Sequence, residues 1–483
     1  MADSIGTVNN QSSTQPNGHN SHSNTTESLW RGTDYGKWFV ADSCTSLSSS
    51  IQGFAMPLIA QTVTGSPAQA TLLDSIMTMI SSVLRLPGGV VQDKYDRKKL
   101  MIAFGLIGFA LFGICAALGW AGLLIYPVLM VLAICLGIRS GLLGTTSNTM
   151  LRGIVPDQLL PKASSLNDGR DAALELAGAP VGGVLIGGGL WLPFAVSALL
   201  NLLETAAAMR ITKYWHRGGR TNAEGRALAD DEADENGDAA NITQAADEQA
   251  TTTTSSASQY WREMFSGFRW LLSGRFERRL ILSSALAFAC FNSFLLITVL
   301  SIGSDPSHVV SASFMNVSVS VGVIVGSLIS SVLVQHVRGG IVAVSFYVLM
   351  SIGALGAALA PWILARMAFL AISLLALPAG NAVINGFQSL LINKEHMGRV
   401  FAGMGMIETI AAPAITFLSG IAMQHWGYSV TSVALGLCIV AVTGSRQAGT
   451  SKRTMRRVTS STSPWPFSSM PLAPAWKSNS STK

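Results

Sequence analysis

The sequence predicts an all-α membrane protein: a bundle of twelve transmembrane helices in two pseudo-repeated six-helix halves. Three observations predict it. Charged residues make up 12% of the 483 residues, against about 25% in soluble domains. Hydrophobic residues reach 49% and Gly numbers 47, which excludes a disordered, fibrous or disulfide-rich secreted chain. The apolar residues gather into twelve runs, most near the roughly 20 residues a spanning helix needs, divided six and six by a long polar segment.

The spans are justified in order by their flanking charges, because Lys and Arg concentrate in cytoplasmic loops. Residues 1–34 are rich in Ser, Thr and Asn and lack the charged and apolar regions of a signal peptide. They are expected to be a disordered cytoplasmic segment. The first span, Gly36–Ala60, begins beside Arg31 and Lys37 and serves as its own insertion signal. The second, Leu72–Val91, ends at Lys94, Arg97, Lys98 and Lys99. The third and fourth, Leu100–Trp120 and Leu123–Ser147, lead to Arg152 and Lys162, and the fifth and sixth, Asn167–Ile186 and Leu190–Met209, lead to the central segment. The seventh and eighth are Leu280–Ile302 and Val309–Val334, followed by Arg338. The ninth and tenth, Gly340–Pro361 and Trp362–Asn385, precede Lys394 and Arg399. Val400–Met423 and Tyr428–Val442 complete the set. The loops on the other side carry no Lys or Arg, so both termini are assigned to the cytoplasm. The expected organisation is therefore a first half over 35–209, a linker over 210–279, a second half over 280–442 and a cytoplasmic tail over 443–483. The twelfth run offers only about 15 residues, short of a full span, and the Ser/Thr/Pro/Trp tail suggests an altered C-terminus.

The linker begins basic, turns acidic through Glu224, Asp230, Asp231, Glu232, Asp234, Glu235 and Asp238, and then becomes a Thr/Ser run, a composition that favours disorder. At its end Trp261, Phe265, Phe268 and Leu272 recur at helical spacing, as in an amphipathic helix on a membrane face or a connector docked on the bundle. The halves are weak repeats. A shift that places Val155 on Ile392 also places Lys162 on Arg399, Asp171 on Glu408 and Gly183 on Gly420 without a gap. Two halves so related fit a transporter plan with the substrate bound between them.

The chemistry of other classes is missing. All five cysteines lie in apolar runs, where a thiol acts as a small hydrophobe, and the histidines lie outside the spans or at their edges. No metal site, disulfide, catalytic set or cofactor is expected. There is no phosphate-binding G-x-x-x-x-G-K-[ST] loop, and the net charge of +6 follows from topology rather than from a nucleic-acid surface.

After the second span the chain reads Gly88-Gly-Val-Val-Gln-Asp-Lys-Tyr-Asp-Arg-Lys-Lys-Leu100. This resembles the signature G-x-L-x-D-R-x-G-R-K of the major facilitator superfamily, with Gly89, Val91, Asp93, Lys94, Arg97 and Lys98 on its positions. Asp96 stands where the signature has Gly. The resemblance implies close helix approach at Gly89 and pairing of Asp93 with the basic run. Three further stretches resemble the macrolide-efflux and siderophore-exporter branch: 154–167, Gly178-Ala-Pro-Val-Gly-Gly183, and Gly398-Arg-Val-Phe401 followed by Pro413, Gly420 and Gly427. Pro180 comes one position later than in the exporter motif. The helix-packing motif implied is Gly178, Pro180, Gly182 and Gly183, and the loop before the eleventh span carries Gly398 and Arg399. The resemblance implies a monomeric bacterial plasma-membrane exporter of an amphipathic small molecule, driven by the proton gradient.

Charges inside spans cost about 2.5–3.5 kcal/mol on insertion scales and mark function by default. Asp42 lies about 9 Å, and Arg139, Glu175 and Glu408 about 12 Å, from the cytoplasmic ends of their helices at 1.5 Å per residue. Asp171, Glu175, Gly178 and Gly182 share one helix face. A desolvated carboxylate there can take up a proton near neutral pH, so Asp42, Arg139, Asp171, Glu175 and Glu408 are the candidates for proton coupling or substrate binding. A permanent structural ion pair of Arg139 with Glu175 or Asp171 is the competing expectation. Asp74, near the outer end of its span, and Glu204, near the inner end, are expected to be solvated, and Arg85 to snorkel. A metabolite or sugar facilitator, a non-transporting membrane sensor and a membrane enzyme are the alternative functions, the last unsupported by any nucleophile elbow or intramembrane His.

Overall fold

A computed structural model of the chain describes residues 29–30, 34–155, 159–212, 214–216, 219–221, 275–337, 339–383 and 397–449. In order, the helices are α1 (Tyr35–Thr64), α2 (Pro67–Lys94), α3 (Arg97–Trp120), α4 (Tyr126–Leu143), α5 (Thr146–Ile154), α6 (Leu160–Gly188) and α7 (Leu192–Met209). They continue with α8 (Arg275–Gly303), α9 (Val309–His336), α10 (Gly339–Leu359), α11 (Ile363–Leu374) and α12 (Met397–Gly449). Among the described residues, six stretches are long and apolar enough to cross a membrane by length and composition alone: Arg97–Trp120, Tyr126–Leu151, Leu192–Met209, Ala285–Gly303, Val309–Ser330 and Ile363–Val383. Polar residues dilute α1, α2 and α6, and these are helices that pack within and between the halves.

Local chemistry sets the helix ends. Gly65 closes α1 at φ 67°, a left-handed cap that glycine adopts without strain. Ser66 then caps α2 through the Gln69 amide, with Pro67 in the first turn. Asp96, the departure from the family signature, is the N-cap of α3: its carboxylate accepts the Lys98 amide at 2.9 Å. Gly427, at φ 78°, breaks α12 into two helices. The second of these continues to Gly449, past the end of its short apolar run. The carboxyl-side residues Thr443–Gly449, assigned to the tail, extend that helix by about two turns.

Within the first half α2 packs on α4, α3 on α7, and α1 on both α6 and α7. In the second half α8 packs on α12, α9 on α11, and α10 on α11 and α12. The halves meet through α2 against α12 and α6 against α9. At the end distal to the chain termini one continuous core joins them, with Phe54, Leu58, Phe112 and Phe194 from the first half and Phe294, Val309, Met315 and Met350 from the second. At the end nearer the termini the described core is split. Tyr35, Trp38, Met101 and Ile154 form one cluster inside the first half, and Val342, Ala379 and Val383 form another inside the second.

The first part of the linker departs from the expected disorder: Tyr214–His216 and Gly219–Thr221 pair as a short antiparallel hairpin. The acidic run and the amphipathic stretch near 261–272 lie outside the described residues, as do residues 1–28 and 450–483. Gly398 and Arg399, expected in a loop, stand in the first turn of α12.

The close helix approach after the second span is real but belongs to the neighbouring glycine. A Cβ at Gly88 would collide with the carbonyl oxygen of Gly141 and with the Leu142 backbone, whereas nothing lies within 4 Å of one at Gly89. Gly88→Ala is therefore expected to destabilise the folded protein by about 1–3 kcal/mol through overpacking. Gly89→Ala should be neutral or stabilising by up to about 1 kcal/mol, since glycine is the poorer helix former. Thermal unfolding of both variants in detergent checks this, and an equal loss at both positions refutes the assignment.

Candidate functional site

Besides Asp34, which pairs with Lys37, the described buried charges near the termini form two groups in the first half, both touching α1. In the first, Asp42 of α1 is only 8% exposed. Its carboxylate accepts hydrogen bonds from the Arg170 guanidinium of α6 and from the Ser147 hydroxyl of α5. Arg170 also pairs with Asp171 at 2.7 Å and lies over the Phe39 ring, 4.8 Å from its centroid. Asp171 accepts the Ser46 hydroxyl at 3.1 Å. Around these, Trp38 donates its indole N–H to the Ser147 carbonyl at 3.0 Å, and the Tyr35 hydroxyl donates to Asn167 Oδ1 at 2.8 Å. The local sequence accounts for the joint: Trp38, Phe39, Asp42 and Ser46 lie on adjoining turns of α1 and turn one polar-aromatic face to α5 and α6.

The second group surrounds Arg139 of α4. Its Nε donates to the Phe104 carbonyl at 2.8 Å, one Nη donates to Asn201 Oδ1 of α7, and the guanidinium stacks 3.6 Å from the Phe104 ring centroid. Asn201 in turn donates to the Ser48 hydroxyl of α1 at 3.1 Å and to the Ser197 carbonyl at 2.7 Å. A neighbouring turn of α1 supplies Gln52, which donates to Ser197 Oγ at 2.7 Å and to the Pro193 carbonyl. Gly108 of α3 makes room for the guanidinium, since a Cβ there would strike Asn201 Oδ1 and Arg139 Nη2. Glu204, expected to be solvated, is 1% exposed and within Coulombic reach of Arg139. This is a correction: α7 turns it inward beneath α1, α3 and α4 rather than toward water.

The expected pairing of Arg139 with Glu175 or Asp171 is thus not what the fold builds. Arg170 is the partner of Asp42 and Asp171, and Arg139 faces Asn201 and Glu204. Glu175 is exposed. It shares the Asp171 face as expected, because Gly178 and Gly182 on that face meet Ser50, Ile51 and Phe54 of α1. Gly183 instead meets Ser313 and Val309 of α9 across the two halves, and Pro180 lies within α6. Of the signature residues, Arg97 donates to the Thr149 carbonyl at 3.2 Å and Lys98 to the Ile211 carbonyl at 2.6 Å, so the basic run staples the near end of the first half. Lys94 closes α2. The side chains of Asp93, Arg399 and Glu408 lie outside the described ones, and Glu408 falls on α12.

In the second half the described buried polar groups are neutral. Ser293 and Thr416 are 3.0 Å apart between α8 and α12, and Thr298 lies 3.3 Å from the Tyr428 hydroxyl. Arg366, near the distal end, lies over the Tyr428 ring at 4.8 Å and donates to the Ala360 carbonyl. No group of metal-ligating side chains occurs among the described residues.

Two helical halves that share a core at one end, with apolar spanning helices and buried charges, define an integral membrane transporter. The model of the Major Facilitator Superfamily matches residues 38–416, and the chain belongs to that superfamily, a transporter rather than an enzyme. Solved structures with the same fold include a mutant form of the nucleoside transporter NupG, at 12% identity and a TM-score of 0.56, covering 85% of this chain and 99% of that one. Another is a bacterial metal transporter, at 15% identity and a TM-score of 0.58, covering 88% of this chain and 100% of that one. No curated protein sequence matches the chain.

Proposed function

We propose that the protein is a proton-coupled exporter of an amphipathic small molecule, macrolide-like or siderophore-like, working as a monomer in a bacterial plasma membrane with both termini in the cytoplasm. The observation that carries the reading is the asymmetry of the seam. Ser66 and Gln424 hydrogen-bond at 2.8 Å, Ser75 donates to the Pro413 carbonyl at 2.8 Å, and Gly183 sits on Ser313, all toward the distal end. The described near-end cores stay apart. With Lys and Arg gathered on the near side, the joined end is taken as the exterior one, and the proposed exporter would load its substrate from the near end.

The Gly178–Gly183 stretch supports the exporter branch, and the buried acids of the first half support proton coupling. An inward-moving proton gains about 2.3 kcal/mol per 100 mV of membrane potential. At about 1.4 kcal/mol per tenfold, one proton sustains a roughly 50-fold gradient of a neutral solute. The residues proposed to couple the two are Asp42, Arg139, Asp171, Glu175 and Glu408.

Accumulation of a labelled macrolide and of ethidium in inverted membrane vesicles tests the reading. Uptake should rise with an imposed proton gradient and collapse with a proton-dissipating ionophore. Ionophore-insensitive accumulation would remove the antiport mechanism, and uptake only in right-side-out vesicles would favour import of a metabolite instead.

A further inference from the structure

Glu204 is a buried ionisable group that the ion pairs described above leave unmatched. It stands one turn after Asn201 on α7, so both project toward the same inner face. Its residue is 1% exposed and its Oε2 has no hydrogen-bond partner. Thr45 of α1 lies beside it and donates its hydroxyl to the Ala41 carbonyl at 3.2 Å. The titratable groups that face it from the packed elements are Arg139 from α4 and Asp42 and Cys44 from α1. On α3, Gly105 and Gly108 lack side chains and so admit Thr205, Asn201 and the Arg139 guanidinium. Arg139 is near enough to act on Glu204 electrostatically, yet its described hydrogen bonds go to the Phe104 carbonyl and Asn201, and no ion pair joins it to Glu204.

A buried carboxylate is tolerated only when paired or neutralised. Two groups can do that here: a proton on the carboxyl itself, or the guanidinium of Arg139 turning from Asn201. Arginine has five N–H donors, and two are used in the bonds described. The remaining donors supply the partners for a charged Glu204.

We propose that Glu204 holds an exchangeable proton between α1, α3, α4 and α7, with Arg139 as the positioning residue that takes over the carboxylate when the proton leaves. The proposal rests on the proton-coupled reading and names a carboxyl outside the Asp171–Glu175 face for it. Asp42, one turn from Thr45, is paired with Arg170 and acts electrostatically on Glu204, so discharge of Glu204 places a second negative charge near the α1–α6 ion pair. Proton release is thereby linked to a helix that lines the first half.

Infrared difference spectra of the full chain in detergent, taken between acid and alkaline buffer, test the site without a substrate. The protonated-carboxyl C=O band should lose the amplitude of one carboxyl in Glu204→Gln and keep it in Glu175→Gln. Glu204→Asp should retain a band, shifted in frequency, which separates loss of the group from loss of the fold. An unchanged band in Glu204→Gln, or its absence from the wild type, overturns the proposal. Ethidium efflux from the same variants is a separate arm: ionophore-insensitive efflux by the wild type sinks the proton-coupled reading, while the infrared result still decides whether Glu204 carries the proton.

Discussion

Valine at Gly420 or at Gly183 is expected to pry the halves apart at the distal end. A Cβ at Gly183 would lie 2.8 Å from Ser313 Cβ and 3.4 Å from the Val309 carbonyl, and one at Gly420 would collide with Thr71, whose Cβ is 2.8 Å away. Both are contacts between halves, α6 with α9 and α12 with α2, so the clash falls on the seam and not inside either rigid half. Overpacking of this kind costs about 1–3 kcal/mol, and a penalty confined to one conformation shifts the balance between conformations roughly 5- to 150-fold. Spin labels on the exposed Gln69 and His425, which flank the Ser66–Gln424 hydrogen bond, report the distance across the seam. The wild type should show a short-distance population that Gly420→Val and Gly183→Val deplete. A distribution unchanged in both variants would mean that the seam does not separate.

The second large effect concerns the α1–α6 ion pair. Arg170→Gln removes the only cation among the described residues that pairs with Asp42, leaving a carboxylate whose side chain is 11% exposed, and such a break costs about 3–5 kcal/mol. Asp42→Asn should cost less, because Arg170 keeps Asp171, whose side chain is 50% exposed and held by Ser46. The Asp42→Asn/Arg170→Gln double variant should be more stable than the sum of the single losses, the signature of directly coupled partners. Thermal or denaturant unfolding in detergent measures all three. Additive losses, or a greater loss in Asp42→Asn than in Arg170→Gln, would remove the ion pair from the account.

Much of this architecture is legible in the linear chain because a lipid bilayer imposes a one-dimensional rule. Each span must satisfy its backbone internally and present apolar side chains over a fixed length, so the helices begin and end close to where the apolar runs do. The repeat also has a physical trace. The same shift that places Gly183 on Gly420 relates two glycines at corresponding contacts, each opening its own half to a helix of the other. The shared face of Asp171, Glu175, Gly178 and Gly182 follows from helical periodicity alone.

What escaped the sequence is which groups meet. Arg170 lies 128 positions from Asp42 and directly beside Asp171, so nothing in its spacing marks it as the partner that joins α1 to α6. Gly88 and Gly89 are neighbours, and only the roll of α2 against α4 decides which of them is indispensable. Glu204 sits five residues before the end of α7, a position that reads as hydrated until α1, α3 and α4 close over it. The sequence by itself determined the membrane solvent, the number and order of the spans, the uneven distribution of positive charge and the repeat of the two halves, because these depend on composition and period. Only the tertiary structure decided the ion-pair partners, the buried Glu204 and the end at which the halves are joined, because each depends on how helices far apart in sequence are rotated against one another.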